Sequence, residues 1–118
     1  DAMAVSPTQR SLSLLQKAGC SAQVVERFNP YAHVRVDLFG FIDIVAVGNG
    51  STIGIQTTSA VNMSARVKKI LLIPESKIWL ECGNKIVVHG WAKKGAKDKR
   101  KLWCVNTKEV TLSDFEVQ

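Results

Sequence analysis

The spacing of apolar and polar positions along the chain separates two helical stretches from a series of short strands. Ser6-Pro7 opens the first helix: serine accepts from exposed first-turn amides, and proline fits the first helical position. Leu12, Leu15 and Ala18 follow at helical spacing and Gly19 supplies a stop, which predicts a helix over residues 7–18. Ala22, Val24 and Val25 mixed with polar residues predict a strand over residues 21–28, broken by Asn29-Pro30. Phe41-Ile42-Asp43-Ile44-Val45-Ala46-Val47 is an apolar run interrupted by one carboxylate. Gly48-Asn49-Gly50 then turns the chain, and Thr52-Ile53-Gly54-Ile55-Gln56-Thr57-Thr58 returns it. The two runs predict a hairpin apolar on both faces, hence a sheet covered on each side.

Ser59 is placed to cap a second helix reaching Leu71. Its buried stripe is Ala60, Met63, Val67, Ile70 and Leu71; Asn62, Arg66 and Lys69 share another face, and Pro74 ends it. Residues 77–82 and 85–91 read as two strands around a Gly83-Asn84 turn. A last strand is predicted over residues 101–106, followed by a Thr107-Lys108 turn and a short tail with Val110 and Leu112. No internal repeat or low-complexity linker interrupts the series. The order of helix, strand, hairpin, helix and further strands predicts an α/β fold, a mixed β-sheet flanked by helices.

Composition narrows this picture little. With 118 residues, 46% hydrophobic and 22% charged, the chain is expected to form one domain over residues 3–118. Asp1 and Ala2, ahead of the first methionine, are expected to be a cloning remnant and are set aside. No run approaches the roughly 18 apolar residues of a membrane span, so no membrane partner is expected. Cys20, Cys82 and Cys104 are odd in number, widely spaced and without a CxxC pair. Free thiols in a reducing, cytoplasmic setting fit them better than zinc or disulfides.

Charge changes the picture more. The net charge is +6, and Lys93, Lys94, Lys97, Lys99, Arg100 and Lys101, offset only by Asp98, supply +5 of it. So localised a charge suits a polyanion such as DNA, although a solvated basic loop is the plainer account. Trp91 and Trp103 flank the segment; with Trp79 they default to core packing, but these two could also stack on bases. His33 and His89 lack metal-ligand spacing and read as structural.

Asp43 demands an explanation. A carboxylate inside so apolar a segment costs several kcal/mol if buried without a partner. Either it lies at an edge or pairs with Arg35 or Arg66, or it ligates a metal ion.

Asp43, the Gly-Asn-Gly turn and Gly54-Ile55-Gln56-Thr57-Thr58-Ser59 leading into a helix together resemble the PD-(D/E)xK nuclease superfamily. The likeness is in particular to small virus-type replication-repair and Holliday-junction-resolvase-like nucleases, some of them phage-borne. It covers residues 7–91, and arguably the basic hairpin beyond, and rests on spacing and element order more than on residue identity. It implies a restriction-endonuclease-like core (α-β-β-β-α-β) with an added basic β-hairpin. It also implies a metal-dependent endodeoxyribonuclease acting on branched or unusual DNA, with Mg²⁺ or Mn²⁺ as cofactor and a homodimer as its assembly. Asp43 matches the metal-binding aspartate, Gln56 occupies the second acidic position, and Thr58 stands where the family has lysine. The family's proline-aspartate entry is here Gly40-Phe41-Ile42-Asp43.

These departures shift the chemistry. Gln56 offers a carbonyl oxygen without charge, the Thr57 carbonyl is a further ligand, and Asp37 or Glu26 would restore a second charge if brought near. Threonine cannot supply the lysine's charge, which the following helix could provide through Lys69 or Arg66. The first helix has no acid between Pro7 and Ala18, where Gln9 or Gln16 would stand instead. Two further readings stay open: a nuclease scaffold that only binds DNA, and an interaction domain whose basic hairpin meets an acidic protein.

Overall fold

The computed structural model describes residues 5–116; Asp1 and Ala2 lie outside the described residues. Helix α1 (Pro7–Lys17) begins as its sequence dictates, with the Gln9 N–H donating to Ser6 Oγ at 3.2 Å and proline in the first turn. Strands β1 (Ser21–Val24), β2 (Arg27–Asn29), β3 (Val34–Val36), β4 (Ile44–Gly48) and β5 (Ser51–Ser59) follow. A 3-10 turn leads into α2 (Met63–Leu71) and then α3 (Pro74–Glu81), β6 (Lys85–Lys94) and β7 (Leu102–Val110). Five strands form one mixed sheet in the order β1-β4-β5-β6-β7, while β2 and β3 form a separate ribbon. Within the sheet β5 and β6 run parallel, joined by the α2–α3 crossover, and the other pairs are antiparallel. The α/β class is present, and the expected helix–strand–strand–strand–helix–strand order holds for α1, the main-sheet strands β1, β4 and β5, the α2–α3 crossover and β6, with the β2–β3 ribbon inserted between β1 and β4.

Period-two alternation divides the sheet into two cores. Ile44, Ala46 and Ile55 pack with Leu15 under α1. Phe41, Ile42, Ile86, Val88 and Val110 pack with Ile70 under α2 and α3. Both faces of the central strands are therefore covered, as their unbroken apolar runs require. The β4–β5 turn uses Asn49 and Gly50 at φ of 52° and 78°, with Gly48 paired to Ser51, the two-residue geometry that twisted hairpins favour.

Several expected elements differ. Residues 77–82 are not a strand but belong to α3 and its C-cap. Pro74 does not merely end α2; it occupies the first turn of α3, whose Ser76 hydroxyl bonds the carbonyls of Ile70 and Ile73, both at 2.8 Å. The predicted strand over residues 21–28 splits. Val25 makes the last bond to the β4 side through the Asp43 carbonyl (2.8 Å), and Arg27 then pairs with Val36. Strand β4 starts at Ile44, so Asp43 stands just ahead of it rather than inside it. Strand β7 passes through the expected Thr107-Lys108 turn because Val110, fully buried, pairs with Ile86. Ser59 makes no side-chain cap, and Trp79 lies on α3, its indole N–H bonded to the Lys85 carbonyl at 2.8 Å.

One buried polar junction fastens α1 to the sheet. Ser11 Oγ lies 2.8 Å from His89 Nδ1 and accepts from Trp91 Nε1 at 2.9 Å. Burial depresses the His89 pKa, so the ring stays neutral and available as an acceptor for the serine proton. Ser11→Ala leaves two buried ring nitrogens without their partner. It is expected to cost about 2–3 kcal/mol, read as a lower denaturant midpoint with altered Trp91 emission.

Candidate active site

The register of the central hairpin fixes what surrounds Asp43. Ile44 pairs with Ile55, and the Asp43 N–H continues the ladder to the Ile55 carbonyl at 2.8 Å. Beyond this point β5 has no β4 backbone beside it, and the Asp43 side chain takes over. Its Oδ2 accepts from the Thr57 N–H (2.7 Å), Gln56 Nε2 (2.8 Å) and the Thr57 hydroxyl (3.1 Å). Alternation sets Asp43, Gln56 and Thr58 toward the face that α2 covers. Thr57 faces α1, where its hydroxyl meets Thr8 Oγ1 at 2.9 Å. Asp43 is 3% exposed and Gln56 1%. Neither Arg35 nor Arg66 pairs with Asp43 among the described ion pairs; Arg35 Nη1 instead lies 3.5 Å from Glu26.

Two more acids join Asp43. Because Arg27 pairs with Val36, Glu26 and Asp37 face each other at the base of the β2–β3 ribbon. Carboxylate oxygens of Glu26, Asp37 and Asp43 all lie within 4.8 Å of one another. That span is about twice a divalent metal–oxygen bond, and the donors are hard oxygens, so the set fits an ion of the magnesium, manganese or calcium kind. Gln56 adds a buried Oε1 with no hydrogen-bond partner among the described residues, while its Nε2 donates to both Asp43 and Asp37 (3.2 Å). Turning the amide would exchange an NH₂ that ties two carboxylates together for an oxygen that an ion could use.

The acids open into a cleft of about 820 Å³, whose walls include Gln9, Arg35, Asn62, Arg66 and Lys69. The Asn62, Arg66 and Lys69 stripe thus borders the same space as Asp43, Gln56, Thr57 and Thr58. Gln16 is not part of its lining. Nor are Lys93, Lys94, Lys97, Lys99, Arg100 and Lys101, which stand exposed at the end of the β6–β7 hairpin. Trp91 is buried, whereas Trp103 is 42% exposed beneath the Arg10 guanidinium, 4.3 Å from the ring centroid. Cys20, Cys82 and Cys104 are free, and no described helix is long and apolar enough to cross a membrane.

Crowding leaves its mark on Asp37. Burial, then the hydrogen bond and negative charge of Asp43, push its pKa up to about 6, against the opposing pull of the Gln56 amide and Lys69. The folded chain therefore holds this proton more tightly than the unfolded chain does. Its contribution to stability is greatest at pH below the ordinary value of 3.8, falls as pH rises toward 6, and is level above. Asp37→Asn should flatten that slope in a thermal-melt series over pH 4–7. A divalent ion held by these acids would compete with the same proton, so any stabilisation it gives the wild type should be small at pH 5 and full by pH 7.5.

Asp37 and Glu26 entered the sequence reading only as substitutes for a missing charge. A hairpin turning just after Asn29-Pro30 pairs residue 27 with 36 and so sets 26 opposite 37. That arithmetic was available once the ribbon had been recognised.

No family model and no curated protein matches the chain. Among solved structures it is similar to Archaeoglobus fulgidus Hjc, described as a Holliday junction resolvase from an archaeal hyperthermophile. The two are 16% identical with a TM-score of 0.45, over 94% of this chain and 85% of that one.

Proposed function

We propose that the chain is a metal-dependent endodeoxyribonuclease that hydrolyses phosphodiester bonds in branched or otherwise unusual DNA. The observation that carries this reading is the convergence of three acids and an unpartnered buried amide oxygen on one cleft with a cationic wall. Asp43, Asp37 and Glu26 would hold Mg²⁺ or Mn²⁺, joined by Gln56 Oε1 and the Thr57 carbonyl. When bound, such an ion lowers the pKa of a water and offsets charge on the phosphate. Lys69 and Arg66 oppose the negative charge that develops on the non-bridging oxygens, in place of the lysine absent at Thr58. The six cations of the β6–β7 hairpin hold flanking phosphates, which makes affinity fall steeply with salt. Pairing two copies would let the sites reach two strands.

A second reading has its own support. Gln56 Nε2 ties Asp43 and Asp37 together as a cation would, which suits a scaffold that binds DNA without cutting it. Labelled four-way junction, flap and duplex incubated with Mg²⁺, Mn²⁺ or chelator separate the two. Metal-dependent cleavage that prefers branched substrates is the expected result. Salt-sensitive binding with no cleavage under either metal establishes the second reading, and no DNA binding removes both.

A further inference from the structure

The ribbon that rises from the site acids carries a different chemistry from its base. From Arg27 to Val36 it contains two arginines and no acid. It belongs to no larger sheet, and its apolar side chains face water: Phe28 is 55% exposed and Tyr31 95%. An aromatic ring so exposed contributes nothing to a core and must be held out by local structure. Asn29 does that, its Oδ1 accepting from the N–H groups of Tyr31 (3.0 Å) and Ala32 (3.2 Å) in a turn closed on itself. His33, at φ of 54°, completes the reversal and packs edge-on against Phe28, with ring centroids 6.5 Å apart. Arg35 pairs with Phe28 across the ribbon, on the face that leads down to Glu26. The tip is therefore shaped by its own hydrogen bonds, aromatic at its end and positive along its rails.

We propose that the β2–β3 ribbon is a base-stacking finger: Tyr31 and Phe28 receive an unpaired nucleobase while Arg35, on the same face as Phe28, contacts an adjoining phosphate. The inference rests on the DNA-binding part of the nuclease reading and narrows the substrate to DNA with splayed or single-stranded nucleotides close to the cleft. A fully stacked duplex offers base edges and backbone but no open ring face, whereas a flap or junction point does. The positive rails favour a polyanion over an apolar protein surface. The ribbon's attachment at Glu26 and Asp37 keeps a nucleotide stacked on Tyr31 within the reach of five strand residues, about 16 Å, of the acids.

Tyr31 is the sole tyrosine, so protein grown with 3-fluorotyrosine gives one ¹⁹F signal from the ribbon tip. The signal is followed in chelator, which prevents cleavage, as flap DNA or matched duplex is added, with binding read in parallel by anisotropy. Flap DNA is expected to move the signal and duplex to leave it in place. Tyr31→Ala should bind the flap roughly ten-fold more weakly with duplex binding little changed, and Tyr31→Phe should restore the flap affinity. Flap binding with an unmoved signal, or a Tyr31→Ala protein that binds flap as wild type does, overturns the finger and leaves the cleavage reading standing. A moved signal without cleavage under any metal keeps the finger and removes the nuclease. A signal that moves with protein concentration alone identifies a second copy as the occupant and overturns the proposal.

Discussion

Asp43→Ala is expected to lower metal-dependent DNA cleavage by roughly a thousand-fold, the loss of several kcal/mol of charge stabilisation. The same substitution should weaken the fold. Oδ2 of Asp43 accepts three hydrogen bonds, and the Thr57 N–H among them has no β4 carbonyl to turn to. Leaving that donor buried costs about 1–3 kcal/mol, so alanine alone would confound chemistry with stability. Asp43→Asn separates the two, since its carbonyl oxygen can accept the Thr57 N–H but carries no charge. The expected pattern is an alanine protein that melts early and an asparagine protein that melts near wild type, with both inactive. Manganese-induced stabilisation, read by thermal melts, should be lost in both. Cleavage persisting in Asp43→Asn at a comparable rate would remove the proposed metal chemistry.

The second large effect is expected at Gln56. Gln56→Glu replaces an NH₂ that bridges Asp43 at 2.8 Å and Asp37 at 3.2 Å with another buried acid in a site that already holds three. Without metal the acids repel one another and two donated hydrogen bonds disappear, so the variant should be less stable by several kcal/mol at neutral pH. The deficit should shrink on acidification, because protonating the new acid removes its charge. With metal the sign reverses. An added anionic ligand raises divalent affinity, expected here at roughly ten-fold or more, and titration calorimetry with Mn²⁺ measures it directly. A glutamate variant that gains no manganese affinity would show that the acids do not gather an ion, and would favour the metal-free bridge.

The central hairpin was readable because Asn49-Gly50 and the flanking apolar runs allow few alternatives. The helix over residues 7–18 was readable because Ser6-Pro7 is a start signal with a mechanism. Residues 77–82 misled because Ile78 and Trp79 resemble strand residues in so short a window, while the deciding feature, Ser76 bonding the end of α2, is a tertiary contact. The β2–β3 ribbon was hidden for a related reason. Strands of three residues are too short for periodicity to register, and Val25 belongs by spacing to the strand that β1 ends. At the site, Asp43 was conspicuous because a lone carboxylate among apolar neighbours costs free energy. Glu26 and Asp37 were not, since each adjoins polar or exposed residues and becomes unusual only when the ribbon closes. That Asn62, Arg66 and Lys69 share one helix face followed from their spacing; that this face borders the cleft, and that Arg35 turns to Glu26, are tertiary facts the spacing does not contain.

The parallel seam between β5 and β6 has a consequence for how this chain can vary. Every acid of the cluster precedes it, whereas the six cations of the hairpin follow it, at a tip between Lys93 and Lys101 that carries no register of its own beyond Lys94 and Leu102. Insertions or exchanges at that tip alter reach and polarity of the arm while the ladder from Ile86 to Val110 keeps its alignment. Two properties that would otherwise constrain each other are free to drift apart along one polypeptide.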